Sequence, residues 1–253
     1  MLRSSRIRFS GEKMDEVAKA FADSTRFFRN AELIGEGNFG VVHRIEDALG
    51  RSYAVKVTKH PNSNRLIEKE DGILSGLIVP AVPFSYGTGL TEGKKFLVMD
   101  YIPGVTWEHF IKESKALRDT GIRYHLISAH MYFIDRVCEI LDELNRQGIG
   151  HFDPHPGNVI IGESGVFVID FGNGSNYHPQ TSKTEADYLA RELGWQMDLL
   201  KLLFQSDLNP LQEVLKRSHQ TVEELRVSVM EVLVKERKET LERNGIRQEV
   251  RVG

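Results

Sequence analysis

Gly35, Gly37 and Gly40 stand between two short β-prone runs, Ala31 to Ile34 and Val41 to Ile45. Residues without a Cβ let backbone approach a polyanion closely. The element after the glycines decides the fold. A dinucleotide-binding βαβ unit needs a helix N-terminus at the pyrophosphate, and here a strand comes next. The pattern therefore argues against that unit. It leaves two readings, a hairpin flap over nucleotide phosphates and a glycine-rich hairpin with no ligand. A third β-prone run, Tyr53 to Thr58, comes after the loop from Glu46 to Arg51.

The rest of the chain fills in around this start. Arg65 to Leu77 has helical spacing, Val82 to Gly87 and Phe96 to Tyr101 read as strands, and the turn Thr91-Glu92-Gly93-Lys94 separates them. After Pro103-Gly104 the period becomes helical. Ile127, Met131, Ile134, Cys138, Leu141 and Leu144 form one apolar stripe, and Gly148 supplies a stop. A β-rich patch from Val159 to Phe171 is followed by helical stretches near 185–205, 209–218 and 221–243. Met14, Val17, Ala18 and Phe21 mark a further amphipathic helix within 11–27. The expected domains are an N-terminal helical extension over 1–30, a β-rich part over 31–101 and a mostly helical part over 102–253.

Composition narrows the function classes. The chain has 253 residues, 40 % of them hydrophobic and 27 % charged, an ordinary globular balance. The net charge of −3 lacks the basic footprint of a nucleic-acid binder. One cysteine excludes an internal disulfide and a cysteine-built zinc site. Apolar runs such as Ile78 to Phe84 are too short for a membrane span. The basic start, Met1 to Arg8, is followed by no signal-peptide apolar region, so the expected location is cytoplasmic.

Five residues, on four stretches of the chain, carry the chemistry. Lys56, in Ala54-Val55-Lys56, reads either as a solvent-facing strand lysine or as a fixed cation for phosphates. A cation in that role needs a carboxylate to hold it. Glu70 has Leu74 at +4 and Leu77 at +7, so it lies on the apolar face of its helix, whereas Glu68 lacks that register. His151-Phe152-Asp153-Pro154-His155-Pro156-Gly157-Asn158 is a rigid Pro/Gly-rich loop after the long helix. Asp153 can accept or orient a hydroxyl proton, and the amide oxygen of Asn158 suits Mg2+. In Val168-Ile169-Asp170-Phe171-Gly172 an apolar strand delivers Asp170, a second hard-oxygen donor for that metal.

In order and spacing these residues resemble the protein kinase superfamily: the Gly-rich loop, strand lysine, helix glutamate, H-x-D-x-x-x-x-N loop and D-F-G triplet. The resemblance covers about residues 31–204. It implies an α+β, bilobal protein-kinase-like fold, with a small antiparallel β-sheet lobe carrying one helix and a mostly helical second lobe. It implies that Gly35, Glu36, Gly37, Asn38, Phe39, Gly40 and Val42 cover ATP and that Ala54 joins the nucleotide set. Lys56 would contact the phosphates and pair with Glu70, and Asp153 would act as base. Asn158 and Asp170 would bind Mg2+. Met99 would be the gatekeeper, with Asp100, Tyr101 and Ile102 facing adenine. The implied activity is ATP-dependent transfer to a serine or threonine hydroxyl of a protein substrate.

The sequence departs from the family pattern in several places. Phe152 replaces the arginine that clamps a phosphorylated activation loop, which predicts activity independent of such phosphorylation. His155 stands where lysine is usual, and Asp-Pro-His-Pro-Gly-Asn is similar to aminoglycoside-phosphotransferase-like kinases. A small-molecule kinase is therefore the alternative, and a nucleotide-binding pseudokinase a third reading. The stretch Asn173 to Lys183, with Ser175, Tyr177, Thr181 and Ser182, lacks an A-P-E triplet. Asp187 fits either a buried brace of the catalytic loop or a capping-box acid on Thr184. Cys138, Met131, Trp107 and Trp195 read as packing residues, and the charged run Lys235 to Arg243 as a solvated face. No histidine pair has the spacing of a zinc site.

Overall fold

In a computed structural model, the chain divides into two units, Met1–Ile102 and Pro103–Gly253. The structure describes residues 29–47, 49–117, 120–176 and 179–245. The helix expected within 11–27 lies outside them.

Unit 1 is built on alternation. Strands β1 (Arg29–Glu36), β2 (Gly40–Glu46), β3 (Ser52–Thr58), β4 (Ser85–Thr91) and β5 (Lys94–Asp100) form one antiparallel sheet in the order β1-β2-β3-β5-β4. Successive side chains on a strand point to opposite faces. Ile45, Val55, Phe96 and Val98 accordingly pack on one face with Tyr53, Val57 and Tyr86. Ala54, Lys56, Leu97 and Met99, one residue out of step, belong to the other. Helix α1 (Asn64–Gly76) lies against that second face through Ile67, Glu70 and Leu74. Its bounds agree to within a residue with the helix read from the sequence.

The β1–β2 hairpin is tight. Glu36 pairs with Val41 and Gly35 with Val42, and the Gly37 amide donates to Gly40 O at 2.9 Å. Gly40 faces backbone across the sheet: a Cβ there would sit 2.7 Å from Val57 O. No rotamer change relieves a clash with a carbonyl. Gly40→Ala is therefore expected to lower stability by about 1–3 kcal/mol, read as a drop in melting temperature. An unchanged melting curve would show that β2 and β3 are not held this close.

Unit 2 is organised by the apolar stripe of α3 (Thr120–Arg146). Ile127, Ile134, Cys138, Leu141 and Leu144 are at most 1 % exposed, so the stripe expected from the sequence is the core. Against it pack α4 (Pro179–Trp195), α5 (Met197–Phe204), α6 (Asn209–Lys216) and α7 (Val222–Arg243), directly or through one another. Before α3 come β6 (Val105–Thr106) and α2 (Trp107–Ala116), whose N-cap Thr106 accepts from the His109 amide. Short strands carry the functional loops: β7 (Ile149–Gly150) pairs with β10 (Ser175–Asn176), and β8 (Val159–Gly162) forms a hairpin with β9 (Gly165–Val168) and pairs with β6.

Two packing expectations need correction. Trp107 is buried, but Trp195 is 73 % exposed. The buried residues of α4 are Ala186, Leu189, Ala190 and Leu193, and two residues past Leu193 is about 200° around a helix, so Trp195 faces water and stacks on Arg191. The charged run on α7 is not wholly solvated: Glu236, Thr240 and Leu241 are buried, because the run straddles the inward stripe begun by Val229 and Leu233. Among the described residues no helix is long and apolar enough to cross a membrane.

Candidate active site

In unit 1, Lys56 Nζ lies 2.7 Å from Glu70 Oε2. Glu70 is 1 % exposed. Glu68 and Asp71, the other acids on α1, are engaged elsewhere, with Lys95 and with the Ser85 hydroxyl respectively. Of the three acids, α1 thus gives Lys56 the one expected from apolar register. Glu36 in the glycine-rich loop pairs with Lys59 at 2.6 Å, which holds its carboxyl below the usual range. Phe39 at the tip is largely exposed. At the end of β5, Met99 is buried opposite Ala54. The Asp100 amide donates to Phe84 O, and its carboxylate accepts from the Phe84 amide and the Tyr86 hydroxyl. Asp100 is therefore a fastener between strands, and its amide is committed there. Arg44 lies over the Tyr101 ring, 4.9 Å from its centroid.

In unit 2, His151 is the pivot of the loop over residues 151–158. It is fully buried, with its ring 4.7 Å from that of Phe171. Nδ1 accepts from the Asp153 amide at 3.2 Å, so the ring proton sits on Nε2, which donates to Ile169 O at 3.0 Å. Burial lowers its pKa, keeping the imidazole neutral. His151 thus clips the backbone of Asp153 to the strand end that carries Asp170. A second clip is the Ile169 amide donating to Asn158 O at 2.9 Å.

Asp153, Asn158 and Asp170 consequently share one neighbourhood. The Asn158 amide nitrogen donates to Asp153 O at 3.0 Å, which leaves its side-chain oxygen as the atom for a ligand. Asp170 adopts φ 64°, a left-handed conformation rare outside glycine, and caps the turn Phe171–Asn173 by accepting from the Gly172 amide at 3.2 Å. An amide oxygen and a carboxylate on adjoining turns are hard donors of the type Mg2+ takes, usually few per site with water and phosphate completing the shell. The residues present therefore fit that ion. Among the described residues no group of three or more His, Cys, Asp or Glu side chains forms a metal set.

The brace of the loop is Glu185. Its Oε1 accepts from the amides of His151 at 2.8 Å and Phe152 at 3.3 Å. The Asn145 amide nitrogen, placed by its partners, donates to Glu185 Oε2 at 2.6 Å and to Ile149 O at 3.1 Å. Burial pushes the Glu185 carboxyl up to about 7 against these donors. The bracing role considered for Asp187 is thereby corrected: Asp187 is exposed, one residue off the buried face of α4 that Glu185 and Ala186 begin. Glu185 is legible by the test that selects Glu70, since it has Leu189 at +4 and Leu193 at +8. Asn173, whose amide donates to Asp153 Oδ2 at 3.0 Å, carries no such periodic signal. Phe152, at φ 58°, packs its ring on Gly150.

The family model of the protein kinase domain matches residues 28–193. The chain belongs to the protein kinase family. Among curated relatives it is 29 % identical over 245 residues to the "Probable serine/threonine-protein kinase pknA2" of Bifidobacterium longum, covering 82 % of this chain and 30 % of the relative. It is 27 % identical over 176 residues to the "cAMP-dependent protein kinase type 3" of Saccharomyces cerevisiae, covering 66 % of this chain and 42 % of that protein. It thus spans less than half the length of either. The fold is similar to the crystal structure of the Mycobacterium tuberculosis PknI kinase domain, with TM-score 0.54 and 18 % identity, covering 83 % of this chain and 97 % of that one. The α+β fold expected from the motifs is the fold of this family member.

Proposed function

We propose that this protein kinase-family chain transfers the γ-phosphoryl group of ATP to a serine or threonine hydroxyl of a protein. The observation that carries the reading is the Lys56–Glu70 pair. A carboxylate 1 % exposed is expensive to bury, and here it holds one ammonium at 2.7 Å on a sheet face that ends in the glycine-rich turn. Kinship with serine/threonine kinases supports the acceptor class.

The parts divide by chemistry. In unit 1, the loop from Gly35 to Val42 covers the nucleotide, and Lys56 neutralises phosphate charge. Ala54 and Met99 line the base, as do the backbone groups of Tyr101 and Ile102. In unit 2, Asn158 and Asp170 would hold Mg2+, which when bound offsets charge on the phosphates. Asp153 takes the proton of the acceptor hydroxyl as its oxygen bonds to the γ-phosphorus, while the bond to the β-phosphate oxygen breaks and ADP departs. Phosphoryl transfer asks mainly for positioning and charge neutralisation, and this set supplies both.

The test is transfer from labelled ATP to a panel of acceptors, with serine/threonine-rich proteins in one arm and aminoglycosides and sugars in the other. Acid-stable phosphoserine or phosphothreonine is expected in the first arm. Lys56→Met should lower that rate by on the order of 10²-fold. Label only on the small acceptors, or an unimpaired Lys56→Met protein, would refute the reading.

A further inference from the structure

We propose that Asn173 is a positioning residue: its side-chain amide holds Oδ2 of Asp153, so that Oδ1 is the oxygen presented to the acceptor hydroxyl. The inference rests on the function proposed above and assigns the orientation of its base.

The backbone of Asn173 is fixed on both sides. It ends the turn Phe171–Asn173, which Asp170 caps at one end and which the Gly174 amide closes on Phe171 O at 2.9 Å. Immediately beyond, Ser175 and Asn176 are paired to Gly150 and Ile149. Phe171, fully buried, seats the turn against His151, and His151 holds the Asp153 amide. A ring of contacts thus runs from Asp153 through His151 and Phe171 to Asn173, and the 3.0 Å bond from Asn173 Nδ2 to Asp153 Oδ2 closes it.

A second donor faces the same oxygen. His155 Nδ1 accepts from the Gly157 amide at 3.1 Å, so the imidazole proton is on Nε2, 4.0 Å from Asp153 Oδ2. Oδ1 accepts no hydrogen bond from any described residue. The last torsion of an aspartate is broad and two-fold, so pinning one oxygen selects which lone pairs meet the substrate. Asp153 is 36 % exposed in its side chain, where one amide bond adds little to stability. The consequence is a residue that affects rate and leaves the fold untouched.

The experiment compares kcat, KM for ATP and melting temperature of the full chain with Asn173→Ala, Asn173→Asp and Asn173→Gln. Asn173→Ala should lower kcat about tenfold, at the low end of what a general base contributes, with KM within about twofold and melting unchanged. Asn173→Asp sets carboxylate against carboxylate and should fall further; Asn173→Gln keeps a donor and should recover part of the rate. Wild-type kcat in both Asn173→Ala and Asn173→Asp overturns the assignment, as does a loss that appears wholly in KM. A wild-type chain that transfers no phosphate overturns the proposed function and this inference with it. An active wild type, abolished by Asp153→Asn but indifferent at position 173, overturns the positioning role alone.

Discussion

Asp153→Asn is expected to lower kcat for phosphoryl transfer by about a thousandfold, within the range a positioned general base supplies, and to leave ATP affinity within about twofold. The substitution changes little else. The side chain keeps its shape, and its oxygen can still accept from Asn173 Nδ2. The backbone remains tied by the amide bond to His151 and by the carbonyl bond from Asn158. What is lost is the capacity to take a proton. Steady-state transfer to an acceptor protein, beside equilibrium titration with nucleotide, separates the two quantities. A variant with wild-type kcat would remove Asp153 from the chemistry, and a parallel loss of ATP binding would recast it as part of the nucleotide site.

Glu185→Ala acts on the fold of the same loop. Removing the carboxylate leaves the His151 and Phe152 amides and the Asn145 side-chain nitrogen without their shared acceptor in a buried place. Orphaned buried donors cost about 1–3 kcal/mol each, but a relaxed pocket recovers part, so a destabilisation of about 3 kcal/mol is expected. Chemical denaturation measures it, and amide exchange at His151 and Phe152 should quicken in step. The pH dependence has a definite sign. The folded carboxyl titrates near 7, above its ordinary value of 4.5. The folded state therefore binds the extra proton between those values, and stability falls as pH rises through that window. The contribution, fully present below 4.5, is lost as pH passes about 7, and a shift of this size corresponds to about 3 kcal/mol. Glu185→Gln should flatten the slope; an equally steep profile in that variant would assign the pH dependence to another group.

Much of the fold and of the site is legible in the sequence, because period and spacing are local quantities. The stripe on α3 is a 3.6-residue repeat, and it forms the core of unit 2. Glu70 stands out because a carboxylate on an apolar face must meet a cation, and Lys56 is that cation. The same reasoning applies to Glu185, but the capping pattern Thr184 to Asp187 points to a different acid, and burial of α4 depends on which helices pack around it. The contacts that sequence does not reveal are non-periodic. The Asn173–Asp153 bond joins residues 20 apart and depends on the left-handed turn at Asp170. Trp195 goes the other way: its size suggests packing, and only the phase of α4 puts it in water.

The pairing of Ile149–Gly150 with Ser175–Asn176 closes the intervening chain into a buckle. Its tongue is the stretch from His151 to Asn158, and its catch is the turn from Asp170 to Asn173. Slack introduced at one end is shared by the other, so damage to the strand pair would be felt at the proposed proton acceptor and the proposed metal ligands together. Evolution or design that lengthens the chain after Asn176 would leave the buckle fastened, whereas an insertion in its tongue or its catch would loosen both halves of the proposed site at once.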